Sequence, residues 1–167
     1  MFQIHKYNPS YKDIFQNESE KIANILKCNY LIEHIGSTSV PGLDGKGVID
    51  IMLVFNNIEE VNLAALILKN KYFLSNDGVN RKDRIFLTSS GDKESNEGDI
   101  HLHLVTKDNN DYLNAILFRD YLLQHPKTKQ EYIDLKYKIF QKVDGDRAEY
   151  TKQKSDFIKD IIAIAKK

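Results

Sequence analysis

Apolar positions along the chain alternate between helical and strand periods. Ile14, Phe15, Ile22, Ile25 and Leu26 recur at helical spacing, which predicts an amphipathic helix over Tyr11–Leu26, with Pro9-Ser10 as its start and Ser10 as N-cap. Residues 30–35 then read as a short strand running into Gly36-Ser37-Thr38-Ser39. The run VIDIMLVF at 48–55 is nearly continuous in apolar residues, as expected of a strand covered on both faces. Helical spacing returns over 58–70. Residues 72–74 and Arg84–Thr88 read as strands joined by a polar loop around Asp77-Gly78, and 89–98, rich in Gly, Ser, Asp and Glu, predicts a mobile loop. Residues 99–105 alternate strictly, with Asp99, His101 and His103 on one face and Ile100, Leu102 and Leu104 on the other. Beyond them the period is helical over Asn110–Gln124, 127–143 and 146–165, broken at His125-Pro126 and Asp144-Gly145. The pattern predicts a single α+β domain: a mixed sheet flanked by helices over about 1–108, then a helical segment over about 109–167. It holds no repeat, low-complexity tract or long linker.

Composition narrows the class. A chain of 167 residues with 41% hydrophobic and 29% charged side chains is large enough to bury a core without staples. With 24 basic and 24 acidic residues the formal net charge is +0, so there is no global field for a polyanion and no strong nucleic-acid signal; any such binding must come from a local patch. No apolar run approaches the ~20 residues that cross a bilayer, and residues 1–15 lack an uninterrupted apolar signal region. A cytoplasmic protein without a membrane partner is therefore expected. The single cysteine, Cys28, is read as a packing residue.

The chemistry concentrates in few places. A Gly36-Ser37 turn leaving a strand can offer backbone amides and a hydroxyl to a phosphate. The chain returns through Pro41-Gly42 and Gly45-Lys46-Gly47 to Asp50, a carboxylate inside an apolar strand, where it needs a cation, a metal or several donors. His101 and His103 point the same way. If their strand neighbours that of Asp50, the three resemble a two-histidine, one-carboxylate ligand set suited to manganese, iron or zinc rather than magnesium; alternatively, Asp50 is a hydrogen-bonded structural acid and the histidines are merely solvated. Lys46, Arg84 and Arg119 are candidate phosphate contacts, although each by itself is more often a surface salt bridge. Tyr132, Lys136, Tyr150 and Lys154 form either a stacking and phosphate-binding face or an amphipathic seam with snorkelling lysines, the seam being the preferred reading.

The segments IEHIGSTSVPGLDGKGVIDIMLV, RIFL, HLHLV, FRDYLLQHP and YTKQKSDFI, in this order and spacing, resemble the GrpB family, whose members are similar in fold to the nucleotidyltransferase superfamily. The resemblance runs from about residue 7 to 165. It implies a nucleotidyltransferase-like mixed sheet with Gly36 and Ser37 at the superfamily's phosphate-binding turn, Thr38 beside them, and Asp50 at its first metal-binding acid. Ser37 and Asp50 are then the candidate catalytic residues. Met52 stands where a second acid is expected, and the third would fall near His101 or His103. Two readings follow. In the first, the protein transfers a nucleotidyl group from a nucleoside triphosphate to an unknown hydroxyl acceptor, with a divalent metal (manganese, magnesium or zinc) at Asp50, His101 and His103. In the second, it is a non-catalytic nucleotide- or metal-binding module.

Overall fold

A computed structural model describes residues 3–75, 83–91, 95–144 and 146–167. Eleven elements follow one another: α1 Tyr11–Leu26, β1 Leu31–Ile35, a single 3-10 turn at Ser37–Ser39, β2 Ile49–Phe55, α2 Ile58–Leu68, β3 Phe73–Leu74, β4 Arg84–Thr88, β5 Ile100–Thr106, α3 Asn110–Gln124, α4 Pro126–Lys142 and α5 Arg147–Ala165. The sequence expectations for element type and order hold. The loop expected around Asp77-Gly78, residues 92–94 of the second polar loop, and Gly145 of the last helix break lie outside the described residues.

Local chemistry explains most ends. Asn57 caps α2 by accepting from Glu60 N at 2.9 Å, and Glu60 Oε2 reaches back to Asn56 N at 3.0 Å, so entry donors are satisfied at both sides of the turn. Pro126 opens α4, where its missing N–H costs nothing, and Asp146 caps α5 through Glu149 N. Ser10 does not cap α1, contrary to expectation. Its backbone is already helical and its side chain makes no cap bond, while Asn8 Oδ1 accepts from Ser10 N at 3.0 Å. Cys28 is exposed just past the left-handed Lys27 that ends α1, so it is not the core packing residue that was expected.

The sheet order is β1-β2-β5-β4-β3. Central β2 and β5 are parallel, and the remaining pairs are antiparallel. Side-chain alternation therefore divides the sheet into two chemical faces. One face buries Ile49, Ile51, Leu53, Leu87, Leu102 and Leu104 against α1 and α2. On the opposite face Met52, Val54 and Val105 pack under Tyr112, Ala115 and Ile116 of α3. That second face also carries Asp50, His101 and His103, because the parallel register sets Asp50 opposite His101 and Met52 opposite His103. Helices α4 and α5 fold back beside α3, burying Leu122, Tyr132 and Ile133 with Val40 and Leu43 of the β1–β2 connection. The helical segment thus roofs the end of the sheet where the polar residues stand. Among the described residues no helix is long and apolar enough to cross a membrane.

Candidate functional site

A cavity of about 450 Å³ lies between the β1–β2 connection, the Asp50 end of the sheet and the three C-terminal helices. This falls within the size range of small-molecule sites. Gly36, Ser37 and Lys46 line one side, Asp50, His101 and His103 the floor, and Tyr132, Lys136, Tyr150 and Lys154 the roof.

The turn after β1 is shaped around Asp50. Gly36 has φ +74 and ψ −171, a combination almost confined to glycine, and a Cβ there would lie 2.3 Å from Asp50 Oδ2. The other oxygen, Oδ1, gathers both histidines. His103 Nε2 and His101 Nδ1 each lie 3.3 Å from it. Burial works to raise the Asp50 carboxyl, but these imidazoles override it and hold the group well below the usual carboxylate range. Burial lowers His103, with Arg84 adding to the effect, so its ring is neutral at pH 7.

The outer nitrogen of His103 sets its tautomer. Arg84 Nη2 lies 2.7 Å from His103 Nδ1, and a guanidinium can only donate, so Nδ1 carries the lone pair and Nε2 the hydrogen facing Asp50. His101 is the mirror case. Its Nδ1 faces the ionised carboxylate, and its Nε2 meets Ser95 Oγ at 2.8 Å, a contact that a hydroxyl makes as donor or as acceptor. Phe86 fixes both rings, stacking on His103 at 4.8 Å and meeting His101 edge-on at 5.0 Å.

This network does not fit a shared metal ion. A spacing of 3.3 Å between donors would by itself suit the edge of a tetrahedral site with bonds of about 2.0–2.1 Å. However, both histidines present N–H groups, not lone pairs, to the Asp50 oxygen. Among the described residues no group of three or more His, Cys, Asp and Glu is placed to hold an ion. Asp50, His101 and His103 do meet, as hydrogen-bond partners. The unaltered chain and a His101→Ala/His103→Ala variant are expected to retain the same substoichiometric metal after loading and desalting. Elemental analysis showing one equivalent in the former and none in the latter would overturn this.

Three expected phosphate contacts also have other partners. Arg84 donates to Asp111 at 2.7 Å as well as to His103. Arg119 lines the cavity, but its guanidinium donates to Glu33, Asp120 and the His34 carbonyl, tying α3 to β1. Thr38 is buried, donating to the Val48 carbonyl and accepting from His34 Nε2, so its hydroxyl serves the turn. Of the expected set, Gly36, Ser37, Lys46 and Arg119 line the cavity.

The lysines of the helical segment are what the preferred sequence reading misplaced. Tyr132-Lys136 on α4 and Tyr150-Lys154 on α5 line the cavity as well as forming a packing seam. Lys136 is 2% exposed. Its Nζ donates to the Asp44 carbonyl and stands 4.9 Å from the Tyr132 ring centre. Burial, reinforced by Lys154, pushes it down to about 7, against the pull of Asp44. Lys46 and Lys154 both approach Tyr150, at 5.2 and 4.4 Å from its ring. The available signal was the aromatic-to-lysine spacing of four residues repeated on two helices; what it lacked was the direction of the two faces.

Comparison with known proteins fits this architecture. The family model described as GrpB protein matches residues 1–163. The chain belongs to the GrpB family. The crystal structure of the conserved protein GrpB from Enterococcus faecalis superposes with a TM-score of 0.83 at 31% identity, covering 98% of this chain and 96% of that one. The UPF0157 protein YqkA of Bacillus subtilis is 27% identical over 158 residues, 94% of this chain. The GrpB-family chain spans only 45% of the length of that relative. A more distant likeness is to the Cid1 poly(U) polymerase, in a structure described as MgGTP bound: TM-score 0.54 at 12% identity, covering 83% of this chain and 44% of that one, a likeness of fold alone.

Proposed function

We propose that this GrpB-family chain binds a nucleoside triphosphate in the cavity and passes its nucleotidyl group to a hydroxyl acceptor. The observation that carries the reading is the convergence of Lys136 and Lys154 from the roof, and of Lys46 with the Gly36-Ser37 turn from one side, on a cavity floored by the carboxylate-oriented imidazole of His101. The lysines offset the charge of the phosphates, and the amides and hydroxyl of the turn orient them. Asp50 keeps His101 in the tautomer that accepts a proton, so a histidine takes the role of general base. The fold likeness to a polymerase crystallised with MgGTP supports the same assignment.

A second reading, nucleotide binding without transfer, is favoured by Met52. It is 2% exposed in an apolar cluster under α3, where burying a carboxylate is costly. Calorimetry with each common ribonucleoside triphosphate in magnesium buffer tests the shared part. Saturable binding of one nucleotide per chain, displaced by inorganic tripolyphosphate, is expected; no heat with any of them would end both readings. Release of pyrophosphate from the bound nucleotide separates the first from the second.

A further inference from the structure

The cavity has a charged end and an apolar end. Tyr150, Lys154, Ile158 and Ile162 line it at four-residue steps along α5, so between Lys154 and Ile162 the wall changes from lysine to isoleucine over about 12 Å of helix. Lys46 joins Lys154 at the first end, both lying on the Tyr150 ring. At the second, Phe118 and Leu122 of α3 share a cluster with Ile158. The charges that α3 brings to the cavity are already paired. Asp111 takes Arg84 at 2.7 Å, and Arg119 is spent on Glu33, Asp120 and the His34 carbonyl.

Resting on the reading above, we propose that this α3 wall is the nucleobase site: the base lies against Phe118, and the Asn114 amide reads its edge. The two residues are four apart, so they are neighbours on one face of α3, and both line the cavity. Asn114 is half-buried there, yet its amide has no hydrogen-bond partner among the described residues. An amide holds an acceptor and a donor side by side, the complement of a base edge on which a ring nitrogen and an exocyclic group present one of each.

Phe118 is open to stacking in the same sense. Tyr132 meets it at right angles, 5.3 Å between centroids, and is itself stacked on Phe157 at 5.2 Å. Among the described residues Phe118 therefore has no stacked partner, and a base of any kind has a face to offer it. A triphosphate held by the lysines carries its nucleoside away from them. The α3 wall, with its charges paired, is the direction in which the cavity leaves room for one.

Calorimetry of the full chain in magnesium buffer, with the four common ribonucleoside triphosphates and with inorganic tripolyphosphate, separates base from phosphate. The unaltered chain is expected to rank the four nucleotides and to bind the best of them about tenfold tighter than tripolyphosphate. Asn114→Ala should lose about five- to tenfold for that nucleotide and flatten the ranking. Phe118→Leu should lose about tenfold for all four and keep the ranking. Neither should change the affinity for tripolyphosphate. Asn114→Ala is a safe variant for folding, since alanine is the better helix former and the amide has no partner to lose.

An unchanged affinity and ranking in Asn114→Ala overturns the proposal, and so do parallel losses of nucleotide and tripolyphosphate in the variants. Nucleotides bound by the unaltered chain no tighter than tripolyphosphate overturn it too, an outcome that leaves the lysines as the phosphate site. No heat with any of these ligands ends both.

Discussion

A Gly36→Ala chain is expected to lose about 3–5 kcal/mol of unfolding free energy and the arrangement around Asp50 with it. Two costs combine. At φ +74 and ψ −171 a side-chain-bearing residue is strained by about 1–3 kcal/mol. The new methyl would also meet Asp50 Oδ2 at 2.3 Å, with Cγ and Cβ only 3.1 and 3.2 Å away. Asp50 cannot swing clear while Oδ1 is held between His101 and His103, so the collision must break a hydrogen bond to a charged group, worth about 1.5–3 kcal/mol. Gly98→Ala is the matched control: its φ is +85, but nothing lies within 4 Å of the added methyl, and its loss should be about 1 kcal/mol. Urea unfolding of the two chains checks the difference. Equal losses would mean that the close approach of Gly36 to Asp50 is not what the glycine serves.

Lys136→Met is expected to weaken nucleotide binding by roughly ten- to a hundredfold, the equivalent of one charged hydrogen bond to phosphate. The length and apolar body of the side chain are kept, so packing against Tyr132 survives. Binding should also lose a component of its pH dependence. Lys136 is depressed to about 7, by burial first and Lys154 second, so it is neutral above that pH and cationic below it. Affinity for an anion therefore gains a contribution as pH falls through 7. The phosphates' own titration is common to both chains, so the ratio of their affinities isolates the lysine. For folding the sign is opposite. The unfolded lysine keeps its proton up to about 10.5, so between 7 and 10.5 the unfolded chain binds more protons, and stability rises with pH. In Lys136→Met that rise should disappear. Calorimetry at pH 6 and 8 with an identical affinity ratio at both would remove Lys136 from the phosphate site.

The turn-to-strand segment was the most legible part of the site. Gly36-Ser37 and Asp50 were singled out because glycine at a strand exit and a charge within an apolar run are locally anomalous. The alternation of 99–105 put His101 and His103 on one face, and adjacency to β2 then follows from the register. Their role was not legible, because it depends on the outer nitrogens. Arg84 comes from another strand, and its guanidinium turns His103 into a donor toward Asp50. The salt bridges weighed for Arg84 and Arg119 do form, but their partners were not legible, since the acids that engage them, Asp111 and Glu33, are distant in sequence.

What the sequence determined by itself is the element order, the apolar strand at the centre and the acid embedded in it. Those follow from local period and residue type, which do not depend on partners. Only the tertiary structure decided which face of α4 and α5 turns inward. Tyr132, Lys136, Tyr150 and Lys154 fit a seam or a binding wall equally well as a helical stripe, and the packing of Leu122, Tyr132 and Ile133 on Val40 and Leu43 is what swings the lysines over the Gly-Ser turn. Tautomer, burial and the lowered Lys136 are likewise properties of neighbours brought from far along the chain, because hydrogen-bond direction and desolvation are set by what surrounds a group and not by the residues beside it in sequence.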